Sequence, residues 1–138
     1  MKPGASQDTA SVVEGLNGVL LSVGCNCYDT LDHLGSAEAD AEGIHAALTS
    51  GPSALYGPAA AAILRSPTRA EIEAHFRTLL LQSKGVDSFT LYFAGHGAMV
   101  DGSLYLCPAD TSIDAISVTA VNISQVLRVI PLRFSPVQ

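Results

Sequence analysis

The chain has 138 residues, enough for one domain that buries about two-thirds of its unfolded surface. It is 48% hydrophobic and only 14% charged, with seven basic and thirteen acidic residues and a formal net charge of -6. The basic residues are scattered, which argues against nucleic acid or an anionic membrane as partner, and no apolar run approaches a membrane span. Such apolar richness suits a sheet covered by helices, or a piece that hides surface against a partner. The three cysteines, Cys25, Cys27 and Cys107, are odd in number, and no leader pattern follows Met1. Free thiols and a cytoplasmic location are therefore expected.

Residues 1–17 are polar and small and are expected to form a loose arm, with the domain over 18–138. Gly18 to Gly24, Gly-Val-Leu-Leu-Ser-Val-Gly, is a glycine-bounded apolar run that predicts a central strand. Cys25 to Gly35 follows as a loop at its carboxyl end. Ser36 is placed to cap a helix reaching about Thr49. Glu38, Asp40 and Glu42 lie near the positive end of that helix, and Ala37, Ala41, Ile44 and Leu48 form its apolar stripe. Gly51-Pro52 stops it. Ala61 to Arg65 reads as a strand, although its alanines suit a helix as well.

Thr68 and Glu71 form a capping-box pattern behind Pro67. The helix they open carries Ile72, Phe76, Leu79 and Leu80 on one face and ends near Lys84-Gly85. Ser88 to Ala94 is rich in β-branched and aromatic residues and predicts a strand buried on both faces. It runs straight into Gly95-His96-Gly97. Asp101-Gly102, between Ala98-Met99-Val100 and Ser103 to Cys107, is a hairpin signal ended by Pro108-Ala109-Asp110. Asn122 can cap a last helix with Ile123, Val126, Leu127 and Ile130 in register, closed by Pro131. Alternating strands and helices predict an α/β fold, a mostly parallel sheet with helices on both faces.

His96 is the leading candidate for chemistry. A histidine at the carboxyl rim of such a sheet, between two glycines, can serve as general base or acid, since its pKa lies near neutrality. A solvent-facing turn histidine is the plainer alternative. Cys25 and Cys27 are too closely spaced for a zinc pair, but the loop after the first strand and His96 share one rim, so a thiol nucleophile there is conceivable. Two small partly buried loop residues would read the same way, and Cys107 reads as packing. Asp40 is either a helix-dipole carboxylate or a recognition group for a basic side chain. His33 lies in a loop, and His45 and His75 sit off the apolar stripes as solvated residues. Phosphate-loop, Rossmann and Gly-x-Ser-x-Gly patterns are absent.

Phe93-Ala94-Gly95-His96-Gly97 after an apolar strand resembles the histidine motif of caspase-like cysteine peptidases, which include metacaspases and bacterial relatives. Gly102 to Asp110 resembles that family's Gly…Tyr-Leu…Pro…Asp continuation. Val19 to Gly24 resembles the first strand, with Tyr28 as its usual tyrosine. Leu34 to Ala41 resembles the Leu-x-Gly-Ala-x-x-Asp-Ala helix start, with Ser36 where glycine is common. The resemblance runs from about Gly18 to Pro131, with its segments in the family's order.

It implies a caspase-like three-layer sandwich and peptide-bond hydrolysis through a Cys–His dyad. His96 would be the base, and the Gly97 N–H would face the oxyanion. Asp40 matches the acidic residue of the primary specificity pocket in metacaspase-like members, which implies cleavage after Arg or Lys. The family nucleophile lies in an Asp-x-Cys segment after a further strand, and none of the three cysteines matches it. The chain is thus expected to be the amino-terminal part of the catalytic domain, with the strand bearing the catalytic cysteine missing, and inactive alone. Expected partners are a peptide substrate and either the complementary carboxy-terminal part or a second copy paired at an open sheet edge. No cofactor or metal is called for; calcium dependence, known in some metacaspases, is read from no residue here. The alternatives are a non-catalytic caspase-like interaction module, or a small thiol hydrolase using Cys25 or Cys27.

Overall fold

The computed structural model describes residues 18–52, 54–82 and 87–126. Its centre is β1 (Gly18–Gly24), hydrogen-bonded in parallel to β2 (Ala61–Arg65) on one side and β3 (Ser88–Ala94) on the other. Leu21 is registered with Ala62 in β2 and with Leu91 in β3. Flanked on both edges, Val19, Leu20, Leu21, Ser22 and Val23 are fully buried.

Successive strand residues face opposite sides, so β1 buries one set against each helical layer. Val19, Leu21 and Val23 meet Ile72 and Leu79 of α2 (Arg69–Gln82). On the other side lies α1 (Ala37–Thr49), where the Ser22 hydroxyl donates to the Ala41 carbonyl at 2.8 Å. That bond satisfies the one polar side chain within β1. The result is helix, sheet, helix, the three-layer α/β sandwich expected.

β3 differs from expectation. Phe89 to Ala94 are half-buried rather than enclosed, because among the described residues β3 pairs only with β1. The strand buried on both faces is β1. The uncovered side of β3 opens into an apolar groove of about 210 Å³ lined by Leu91, Phe93, Ile72, Phe76, Leu106 and Val121, among others.

A second, antiparallel sheet follows, in the order β4 (Gly97–Val100), β5 (Ser103–Leu106), β6 (Val121–Asn122). The predicted hairpin turn forms at Asp101 (φ 51°) and Gly102 (φ 80°), the paired positive φ values that a two-residue type I′ turn requires. β6, the 3₁₀ turn Ile113–Ala115 and the short helix α3 (Ile116–Thr119) are additions to the predicted order. Elements of two to four residues carry no readable period.

The capping box at α2 is made in both directions: Glu71 N–H donates to Thr68 Oγ1 at 3.2 Å and Thr68 N–H to Glu71 Oε1 at 2.8 Å. Asp110 Oδ1 accepts the Arg69 N–H at 2.9 Å, adding a cap from the hairpin's end. At α1, Ser36 holds the N-cap position but makes no side-chain cap bond. Asn26 Oδ1 takes the Glu38 N–H instead, at 3.0 Å. The start of α1 sits so tightly on Gly24 that a Cβ there would overlap Ala37 and Glu38. This brings the loop after β1 within reach of the helix end. Asn122 caps as expected, its Oδ1 accepting Ser124 N–H at 2.9 Å, and residues 123–126 are helical. The arm at 1–17, the end near Lys84-Gly85, and Leu127, Ile130 and Pro131 lie outside the described residues.

Candidate active site

β1, β2 and β3 all end at one rim, and the loop 25–35 after β1 crosses it. Ser66, just past β2 and in the left-handed region (φ 46°), pins that loop: its hydroxyl accepts Asn26 N–H at 3.0 Å and Cys27 N–H at 3.1 Å, and donates to the Glu38 carboxylate. Leu34 N–H returns to the Asn26 carbonyl at 2.8 Å, and Asp29 N–H bonds the Ala109 carbonyl at 2.9 Å. Thr30 Oγ1 donates to the Thr111 carbonyl at 2.9 Å. One bond within the loop and those from Ser66 fix its shape, and the bonds to Ala109 and Thr111 tie it to the hairpin's end.

His96 leaves β3 between this loop and β4. Its Nε2 lies 2.8 Å from the Asp32 carbonyl oxygen. A carbonyl only accepts, so Nε2 carries the hydrogen and Nδ1 remains as the nitrogen able to take a proton. Backbone bonds hold the residue too: its N–H donates to the Tyr28 hydroxyl and its carbonyl accepts Cys107 N–H, both at 2.9 Å.

Gly97 pairs with Leu106, and the flanking bond from Cys107 N–H to the His96 carbonyl marks this as a non-hydrogen-bonded pair. The Gly97 N–H therefore points away from β5, to the outer edge of the hairpin. A Cβ at Gly97 would meet only ordinary contacts, Tyr105 O at 3.6 Å and Leu104 Cδ1 at 3.7 Å, so packing does not require glycine here. His96 and Gly97 together line a cleft of about 340 Å³, walled by Leu31, Asp32, Ala98 and Cys107, with Ile113 and Ile116 also against it.

Asp40 is not in that cleft. It is exposed on the first turn of α1 and makes no side-chain hydrogen bond or ion pair among the described residues. Glu38 bonds Ser66, and Glu42 pairs with Arg65 at 2.5 Å, so this flank of the helix faces β2. At 100° per residue, Asp40 lies on the opposite flank of the Ala37–Ala41 stripe, the flank nearer β3.

The cysteines are free thiols. Cys25 is fully buried and bonds the Cys27 carbonyl at 3.4 Å; burial pushes its pKa up, against the pull of Tyr28 and Ser66. Cys107 is 1% exposed and pushed up by burial as well, with the Thr111 hydroxyl pulling the other way. That hydroxyl is buried without a well-formed hydrogen bond. Cys27 is exposed but outside the His96 cleft. Of the other histidines, His33 and His75 are exposed and bond local carbonyls, at Tyr28 and Glu71. His45 is half-buried.

The sequence pointed to none of Asp32, Ser66 and Asn26. Asp32 acts through a backbone carbonyl, which leaves no residue signature, and Ser66 and Asn26 act across large sequence separations.

The fold and the rim together define an α/β protein that presents a histidine in a cleft at the carboxyl end of its parallel sheet. A caspase-domain family model matches residues 17–130, most of the chain, and the chain belongs to this family of cysteine peptidases. No curated protein matches the sequence significantly. Among the described residues, no helix is long and apolar enough to cross a membrane.

Proposed function

We propose that the chain supplies the base, an oxyanion donor and part of the substrate pocket of a caspase-like cysteine endopeptidase that cleaves after Arg or Lys. The observation that carries this reading is the His96 ring bonded through Nε2 to Asp32, with Nδ1 left to exchange a proton in a cleft shared with Gly97. In the reaction, Nδ1 takes the proton of a thiol as its sulfur attacks the scissile carbonyl, and returns it to the leaving amine. The outward N–H of Gly97 is suited to the oxyanion of the tetrahedral intermediate. Asp40 carries an exposed carboxylate with no cation of its own among the described residues, on the β3 side of its helix, which suits recognition of a guanidinium or ammonium group.

The attacking thiol comes from outside this chain. Cys25 and Cys107 are buried with raised pKa values, the opposite of an activated nucleophile, and Cys27 stands away from the cleft. The same observation favours one other reading, a caspase-like module that binds without cleaving. Mixing the chain with a carboxy-terminal part that bears a strand and an Asp-x-Cys segment separates the two. Cleavage of Arg or Lys reporter peptides, lost on His96→Ala, is the expected result. Turnover retained in His96→Ala refutes the dyad, and a stable complex without turnover by the parent chain favours the binding module.

A further inference from the structure

The hydroxyl of Tyr28 has an unusual position. Tyr28 is 4% exposed, yet its oxygen accepts the backbone N–H of His96 at 2.9 Å. The rings of the two residues pack tilted at 57°, centroids 4.8 Å apart. The phenol reaches the backbone because Gly95 has no side chain: a Cβ there would stand 2.6 Å from the Tyr28 oxygen. A phenol that accepts one bond keeps a hydrogen to donate. Cys25 belongs to the same buried cluster, and its thiol donates to the Cys27 carbonyl at 3.4 Å. Burial pushes the Tyr28 pKa far above its ordinary value, so the hydroxyl stays protonated and able to donate.

We infer that Tyr28 is a positioning residue for His96: its hydroxyl holds the histidine backbone from one side while the Asp32 carbonyl holds the ring from the other. Filling volume does not require the oxygen, since phenylalanine has nearly the same shape, and a buried hydroxyl is costly unless bonded. Only the consequence for catalysis rests on His96 being the base. A displacement of about 1 Å in a catalytic group can cost on the order of a hundredfold in rate.

Two readouts on the full chain test this. In Tyr28→Phe, NMR should show hydrogen-exchange protection of the His96 amide falling about tenfold while the β1 amides keep theirs. The ring Nε2–H resonance of His96 should broaden as its exchange with water quickens. A general packing defect would instead raise exchange throughout β1. Both His96 signals unchanged in a folded Tyr28→Phe would overturn the inference. Should that variant fail to fold, Gly95→Ala, which crowds the phenol off the His96 N–H, carries the same expectation and the same refutation. In the completed peptidase, Tyr28→Phe should lower kcat about tenfold with KM little changed. Lack of cleavage by the completed peptidase carrying the parent chain refutes the peptidase reading and leaves the NMR result to decide the positioning role.

Discussion

The cap of α1 offers a sharp test, because pattern and geometry name different residues for it. Ser36 occupies the N-cap position without a side-chain bond, whereas Asn26 Oδ1 accepts the Glu38 N–H at 3.0 Å. Removing a capping side chain costs about 1 kcal/mol, within a range of about 0.5–2. Asn26→Ala should lose that amount; its backbone bonds to Ser66 Oγ and Leu34 do not depend on the side chain and should survive. For a chain of this size, about 1 kcal/mol corresponds to a fall in Tm of roughly 4 °C. Ser36→Ala should stay within about 0.5 kcal/mol of the parent, the usual band for surface changes that break no partner. Thermal and urea unfolding followed by circular dichroism at 222 nm would give both values. Equal losses for the two variants, or a larger loss for Ser36→Ala, would refute the assignment of the cap to Asn26.

The buried thiols and phenol predict an alkaline weakness. Cys25, Cys107 and Tyr28 have folded pKa values raised above their ordinary values of 9.0, 9.0 and 10.0. Their stabilising contribution is therefore complete below about pH 9 and is lost as pH climbs toward the folded values, since the unfolded chain ionises first. Urea midpoints should fall above pH 9, and a flat profile from pH 8 to 11 would contradict this. Titration with Ellman's reagent at pH 8 should label Cys27 quickly and the other two thiols only on unfolding; fast labelling of Cys25 that His96→Ala abolishes would revive the small thiol hydrolase. Gly97→Ala should leave Tm within about 1 °C, since its Cβ meets only ordinary contacts, while lowering kcat in the completed peptidase. A large Tm loss would give Gly97 a structural role instead. The half-covered β3, with its apolar groove, should promote self-association. Sedimentation velocity should show a dimer growing with concentration, and a monomer at every concentration would count against it.

Much of the architecture is legible in the sequence because local rules and tertiary context agree there. The glycine-bounded run of β1, the Thr68–Glu71 box and the Asp101-Gly102 turn form as their residue types require. His96 stands out for the same reason, a histidine between glycines directly after a strand. Segments whose partners are close in sequence therefore declared themselves from the residues alone. What holds the site in place is different in kind. The Asp32 carbonyl meets the His96 ring across 64 residues, Ser66 pins Asn26 across 40, and the Tyr28 hydroxyl reaches the His96 backbone across 68. Burial, too, was assigned by the fold: β1 is enclosed and β3 half-open because of which strand lies between the other two. Periodicity reports which face of an element is apolar, but not which distant group will stand against it. Only the closed chain brings those groups within hydrogen-bonding distance, and so only the tertiary structure shows how the histidine is held.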